Sequence, residues 1–567
     1  MRPLFSGNAW EKLFEGNVRV LLEQDALVPF LRRQPWVDSR GRTIRTARFA
    51  EWILITHEPH PVFLTIVDVR YAGGDAESYA VPLAALPDPL GKSVAGTSPA
   101  AVLTVLTGAR TGIVCDAFAD DEACRELARL GERDVTFTTR RGSLRLLPEA
   151  GLDTRELDAS PAQVHRLGND HRQTAIVAGK RVLKLVRRLR ETPHPEVEAV
   201  RALRMTGFER VPYLLGTVEY QTASDRSLTI AVSERRVSHQ GNGWDYTIDE
   251  LNRFFERVSL RSDEESEADD VDRQIQSFYD LRGIPPSAAV RDSIGIYLHD
   301  IALLGTRTAD LHMALASSAN PAIGAEPMTQ ADVRQLATSL QTRAREAFSR
   351  LEAQRKTFVP DINEKAEALL HRRAAIVDRL SRLERFSMAA QVIRCHNNYR
   401  LGQILRTEQD FVIVDFDRPV DVKVSPAAGP GFFKSVFRRF SAPPPDPRAA
   451  EGKGIALIDV ATMLHSLSTA TATELHAFLT TQQGDVVRIA DWARRWEMWT
   501  SAAFLTAYLD RAAGLPFLPA DDQQVRQLLA AFLLDATLDE LRHYVDRWPE
   551  RVAVLLQAAL SLTAHLA

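Results

Sequence analysis

Two textures meet near the middle of this chain, and that asymmetry limits what it can fold into. Up to about residue 240 it runs in short alternating bursts rich in Val, Ile, Thr and Tyr, cut by Gly and Pro. From Trp244 onward the apolar spacing is almost wholly helical. A mixed smaller half followed by a large helical half predicts an α+β chain.

Composition narrows the class further. With 567 residues, 45% hydrophobic and 25% charged, the chain can bury several cores, so disordered, collagen-like and coiled-coil readings drop out. At about 150 residues per domain, three or four domains fit. Seventy Lys and Arg against 74 Asp and Glu leave −4, too balanced for a general nucleic-acid binder. Three cysteines, Cys115, Cys124 and Cys395, suit a reducing compartment. The start, MRPLFSGNAWEKLFEG, lacks the apolar core of a signal peptide. The run Val552 to Ala567 is too short to span a bilayer and reads as a packed terminal helix. These observations predict a soluble, cytoplasmic protein with no membrane or nucleic-acid partner.

Between Arg42 and Leu86 the segments FAEWILI, PVFLTIVDV and SYAVPLA read as a small sheet. Ala119 to Leu130 reads as a helix, and VTFTTRRGSLRLL as a hairpin. Strand signal returns in TAIVAGKRVLKLVRRL, VPYLLGTVEY and SLTIAVSERRV. Between them PEVEAVRALRMTGF is helical, with Pro195 suited to the first position and Gly207 to the stop. In the helical half, VIRCHNNYRLGQILRTEQDFVIVDFD reads as a loop followed by a hairpin. The acidic block 262–272 and the Pro/Gly-flanked stretch 424–453, which contains FFKSVFRRF, read as inserts. The expected division is a mainly β cap at 1–92, an intermediate segment with a nucleotide-binding lobe at 93–238, and a helical lobe at 239–567.

Several familiar signatures fail. GKS at 91–93 lacks the glycine a phosphate-binding loop needs at position 86, where Leu86 stands. His57-Glu58-Pro59-His60 has the wrong spacing for a helical zinc site. Four separated pieces say more. Lys184 lies on a strand, opposite in face to Leu183 and Leu185, and could hold nucleotide phosphates. Glu198 follows in the next helix, where it could pair with that lysine. The loop His396-Asn397-Asn398-Tyr399-Arg400-Leu401-Gly402-Gln403 is polar. FVIVDFD puts Asp415 at the end of a buried strand, where a carboxylate is costly unless paired or holding a cation. An ATP-dependent phosphotransferase needs such parts: a lysine on the phosphates, a glutamate to hold it, an aspartate on Mg²⁺ and a loop for the acceptor hydroxyl.

With these pieces in place the sequence resembles the maltokinases, particularly the form fused behind bacterial trehalose synthase, among the aminoglycoside-phosphotransferase-like kinases. LVPFLRRQPW, the Y-x-VPLA of Tyr79 to Ala84, HPEVEAVRAL, GFERVPYLLG, QGNGWDYTIDEL and LLGTRTADLHMALA are similar to family blocks. HNNYRLGQIL stands where the family writes HGDYHLGQ, VIVDFD where it writes VIxDFE, and GIALIDVATMLHSL resembles its DVAxMLRS block. The resemblance covers nearly the whole chain. It implies a bilobal protein-kinase-like fold with an N-terminal cap and a large helical C-terminal lobe. It implies transfer of the ATP γ-phosphoryl group to the anomeric hydroxyl of maltose, and trehalose synthase as a partner. It further implies Lys184 and Glu198 as the nucleotide-orienting pair, Thr174 near the phosphates, Gln403 and Asp415 on Mg²⁺, and His396 bracing the catalytic loop.

Three positions depart from the family. Asn398 stands at the catalytic aspartate, after Asn397 in place of glycine. An amide can accept a hydrogen bond but cannot take the acceptor's proton, and general-base action is typically worth about 10² to 10⁴-fold. Arg400 replaces the loop's second histidine. Arg172-Gln173-Thr174-Ala175 thins the hydroxyl contacts of the phosphate-covering loop. Two readings follow: an active sugar kinase, with Asp417 available as a substitute acidic group and Arg400 beside the substrate, or a pseudokinase that binds nucleotide or sugar as a regulatory subunit.

Overall fold

The period-2 alternation of the first half becomes two sheets. In the computed structural model, residues 4–6, 10–37, 42–152, 157, 163–169, 174–189, 194–260, 277–386, 390–416, 452–481, 486–545 and 549–563 are described. Strands β1 (Leu4–Ser6), β2 (Ile44–Thr56), β3 (Val62–Tyr71), β4 (Ala76–Pro87), β5 (Val102–Gly108) and β6 (Gly112–Asp116) form a six-stranded sheet, in the order β1-β5-β6-β4-β3-β2. β3 is buried on both faces, which is why PVFLTIV carries no polar alternation. Val62, Leu64 and Ile66 enter one core; Phe63, Val67 and Val69 enter another, with Trp10, Phe14, Phe30 and Trp36. Because β5 and β6 belong to this sheet, it runs well past the boundary expected at residue 92. Their signal is weak because each is short and bounded by Gly or Thr.

The second sheet has seven strands in the order β7-β8-β12-β13-β11-β10-β9. These are β7 (Val135–Thr138), β8 (Gly142–Pro148), β9 (Val164–Asn169), β10 (Thr174–Ala178), β11 (Arg181–Leu185), β12 (Leu214–Thr222) and β13 (Ser227–Arg235). Leu183 and Leu185 of β11 join a core that also holds Ile53, Val62 and Leu64 of the first sheet. The helix Pro195–Met205 starts on its proline and stops before Gly207, whose φ of 81° only glycine adopts freely.

The chain clusters into two compact units. One gathers Met1–Val197 and Pro212–Val237; the other holds Glu198–Val211 and the described residues from Ser238 onward. The second is mainly helical. Helices Tyr297–Ala316 and Val486–Arg511 pack along each other, with Tyr297 stacked on Trp496 at 5.2 Å. They touch at Gly305, where a Cβ would meet the Phe504 carbonyl oxygen at 2.2 Å. The terminal helix Pro549–Leu562 buries Val552, Leu555, Leu556 and Ala559, as expected of a packed helix. Among the described residues no helix is long and apolar enough to cross a membrane. The acidic block 262–272, and 424–453 up to Glu451, lie outside the described residues.

Candidate functional site

In the first unit, β11 carries Lys184 between β10 and β13, in register with Ala175 and Val232. Strand alternation sends its side chain away from Leu183 and Leu185. The amine lies 2.6 Å from Glu196 and 3.1 Å from Glu234. Glu196 and Glu234 are almost fully buried, so the amine is held by two carboxylates that cannot easily turn to water. Glu196 stands two residues before Glu198, at the start of the same helix, while Glu198 groups with the second unit. Thr174 departs from expectation. It belongs to β10 rather than to a loop, is 1% exposed, and its hydroxyl accepts from Arg187 Nε at 3.3 Å. The hydroxyl faces the core because the buried guanidinium needs an acceptor there.

In the second unit, β14 (Glu326–Pro327) pairs with β15 (Gln391–Arg394), which delivers the loop His396–Arg400. A 3-10 turn Leu401–Gln403 follows, then the hairpin of β16 (Ile404–Arg406) and β17 (Phe411–Ile413). Asp459, in the first turn of the helix Leu457–Thr481 and fully buried, holds the loop by its backbone. It accepts the N–H of His396 at 2.7 Å and of Asn397 at 2.8 Å. His312 Nε2 lies 3.1 Å from the same carboxylate, and His312 Nδ1 lies 3.0 Å from the Tyr508 hydroxyl. Burial alone would push the Asp459 carboxyl up, but His312 and the donated N–H groups hold it below the usual carboxylate range.

His396 is buried and clasped by Tyr399 and Phe416, with ring centroids at 5.4 and 4.6 Å. Its Nε2 donates to the Val414 carbonyl at 2.8 Å, which fixes the tautomer. Desolvation lowers its pKa despite the nearby Asp459 charge, so the ring is a neutral brace. Asn397 has φ 62°, a left-handed conformation suited to glycine and tolerated by asparagine. Its side chain repays the strain by donating to the carbonyls of Cys395 at 3.0 Å and Gly452 at 2.9 Å. The departure Gly to Asn is thereby accounted for locally. Asn398 is 9% exposed and its amide makes no hydrogen bond among the described residues. Tyr399 is tied to Thr308 at 2.9 Å, and the Leu401 N–H to Ser466 at 3.2 Å.

At the base of the hairpin the Val414 N–H donates to the Gln403 carbonyl at 3.0 Å, so Gln403 lies across from the residue before Asp415. Asp415 follows with φ 65°, part-exposed and two residues beyond the end of β17 rather than on the strand. An amide oxygen and a carboxylate are hard donors suited to Mg²⁺. Among the described residues no group of three or more His, Cys, Asp or Glu could hold a metal. Arg400 is part-exposed; its charge helps hold the Glu540 carboxyl below its ordinary value, with the hydrogen bond from His465 acting more strongly against the upward push of burial. Asp417 lies outside the described residues.

Residue-by-residue reading missed Asp459, His312, Glu196 and Glu234. Asp459 and His312 lie within blocks that resemble the family, but each sits alone in an apolar helix, so neither suggested a contact. The zinc-like HEPH segment resolves into a buried pair, His60 against Asp120 at 3.0 Å.

Parts of the chain are similar to known proteins. Residues 30–120 match the maltokinase N-terminal cap domain. Glucosamine kinase of Mycolicibacterium smegmatis (strain ATCC 700084 / mc(2)155) is 25% identical over 296 residues, 51% of this chain and 59% of that protein. The chain therefore matches about three-fifths of that relative's length. A solved structure of glucosamine kinase in complex with glucosamine, ADP and inorganic phosphate is 20% identical, with TM-score 0.56 over 99% of this chain and 100% of that one. Another glucosamine kinase structure, crystal form B, gives TM-score 0.58 over 97% of this chain at 20% identity. Together these define a kinase fold with its cap. Residues 30–120 are therefore similar to a maltokinase cap, and the chain shares the fold of the glucosamine kinase structures.

Proposed function

We propose that this chain is an ATP-dependent sugar phosphotransferase that converts maltose, or a related sugar, to its 1-phosphate. The observation that carries the reading is the buried Lys184–Glu196 ion pair on a strand and the helix after it, in a chain with this fold. In this reading Lys184, oriented by Glu196 with Glu198 beside it in sequence, binds the phosphates of ATP. Gln403 and Asp415 would hold Mg²⁺, which when bound neutralises charge on the transferring phosphoryl group. His396 keeps the loop in shape, Asn398 accepts a hydrogen bond from the acceptor hydroxyl and orients it, and Arg400 borders the sugar. Because phosphoryl transfer rests largely on positioning and electrostatics, a loop without a base can still turn over slowly.

Maltose is favoured by the cap match. Glucosamine, the ligand of the matched kinase structure, is the second acceptor to test. A cytoplasmic setting beside a maltose-producing trehalose synthase belongs to the same proposal. Incubating the purified chain with ATP, Mg²⁺ and each sugar, and following the phosphorus spectrum, tests it. A new sugar-phosphate resonance that needs all three components supports the reading. Nucleotide binding without any such product favours the pseudokinase reading, to which Asn398 and Arg400 point.

A further inference from the structure

The strand that carries Lys184 does not end with its own sheet. Through Val186 it stays paired to β13, the Val186 N–H donating to Ile230 at 2.8 Å. The next residues then cross to the cap sheet. The Ala80 N–H donates to the Arg187 carbonyl at 2.7 Å, the Leu189 N–H donates to Ser78 at 2.8 Å, and Arg188 bridges Tyr79. β4 has room for them, because β3 takes one edge at Ala76–Ala84 while β6 takes the other only at Leu83–Pro87.

Arg187 lies on the face opposite Lys184, with Leu183 and Leu185. Its guanidinium is buried, 2.8 Å from Asp116 at the end of β6, and its Nε donates to Thr174 on β10. It lies over the rings of Trp36 at 4.5 Å and Phe118 at 5.0 Å. Arg188, one residue on, meets Glu77 at 2.7 Å. A buried guanidinium held by one ion pair, one hydrogen bond and two ring faces has one low-energy place. Lys184 stands three residues before Arg187 on the same run of chain. We propose that Arg187 is a positioning residue, and that the cap acts through Asp116 to set the grip of Lys184 on a nucleoside triphosphate.

This rests on the phosphotransferase reading, and the test separates the two. The double variant Arg187→Met with Asp116→Leu removes both charges together, leaving none buried and unpaired. Its affinity for Mg²⁺-ATP, measured by titration calorimetry on the full chain, is expected to fall at least tenfold, with affinity for the sugar within twofold of wild type. Arg187→Lys, which keeps the charge and loses the fork, should fall between. A folded double variant with unchanged ATP affinity overturns the proposal. If the double variant does not accumulate, Thr174→Val carries the test: ATP affinity drops a few fold, or the proposal falls. Should wild type itself bind no ATP, the phosphotransferase reading fails. The proposal is then judged on amide exchange in the double variant, where faster exchange confined to Val182–Val186 supports it and unchanged exchange overturns it.

Discussion

The Asp459 carboxylate reaches the backbone nitrogen of His396 at 2.7 Å from a position closed to solvent. A helix start thus holds the loop by its main chain, while the side chains of His396, Asn397 and Tyr399 brace it from within. Asp459→Asn puts an amide N–H₂ where one oxygen accepts, so a donor faces a donor. The cost is about 3 kcal/mol, from a broken buried charge-assisted contact. Urea denaturation of the two proteins measures it, and a loss under about 0.5 kcal/mol would mean the contact is dispensable.

Glu196 and Glu198 offer rival partners for Lys184. A charge-assisted hydrogen bond contributes about 1.5 to 3 kcal/mol. Glu196→Gln should therefore weaken Mg²⁺-ATP binding by about tenfold, with a smaller effect from Glu198→Gln. The reverse order, read by the same titrations, would restore Glu198 as the main orienting group. Lys184→Met should lower affinity more than either.

Asn397 combines a left-handed backbone with two donated hydrogen bonds. Alanine keeps the strain and loses both bonds, which predicts a loss of about 2 to 3 kcal/mol. Glycine loses the bonds but not the conformational freedom, so Asn397→Gly should be about 1 kcal/mol milder. Thermal melts of both variants check the order. Equal losses would show that the backbone is not strained.

The loop should weaken on acidification. His396 is neutral in the fold with a depressed pKa, whereas the unfolded chain takes up its proton near pH 6.5. The unfolded state then binds more protons, so stability falls as pH drops below about 6.5 until the depressed folded value is reached. Asp459, also depressed, adds a contribution that is full above the unfolded carboxylate value near 4 and lost as pH falls through the folded one. Amide exchange of Cys395–Leu401, corrected for intrinsic rate, should show less protection at pH 5.5 than at 7.5. Equal protection would mean that His396 does not enter the fold neutral.

Strands and helices were largely legible because their periods survive in sequence: β2 to β4, the Pro195 start, the Gly207 stop and the hairpin before Asp415. Less legible was whatever depends on long-range approach. Nothing local links Asp459 to His396 across the intervening 62 residues, or His312 to Asp459. The sequence pointed to Glu198 as the partner of Lys184, and only the fold shows Glu196, two residues earlier at the helix start, against the amine. The bond of Thr174 to a buried arginine was not legible, because it is visible only once β10 and Arg187 are neighbours. That the first sheet reaches past residue 92 was not legible either, because short strands such as GIVCD are hard to tell from turns in sequence.

The Asn398 position decides the central claim. Sugar-phosphate formation from ATP, Mg²⁺ and maltose or glucosamine should be measured for wild type and Asn398→Asp under the same conditions. A competent pocket that lacks only its base predicts slow turnover in wild type and a gain of about 10² to 10⁴-fold in the aspartate variant. Absence of product from both proteins with either sugar, although both bind ATP, would contradict it.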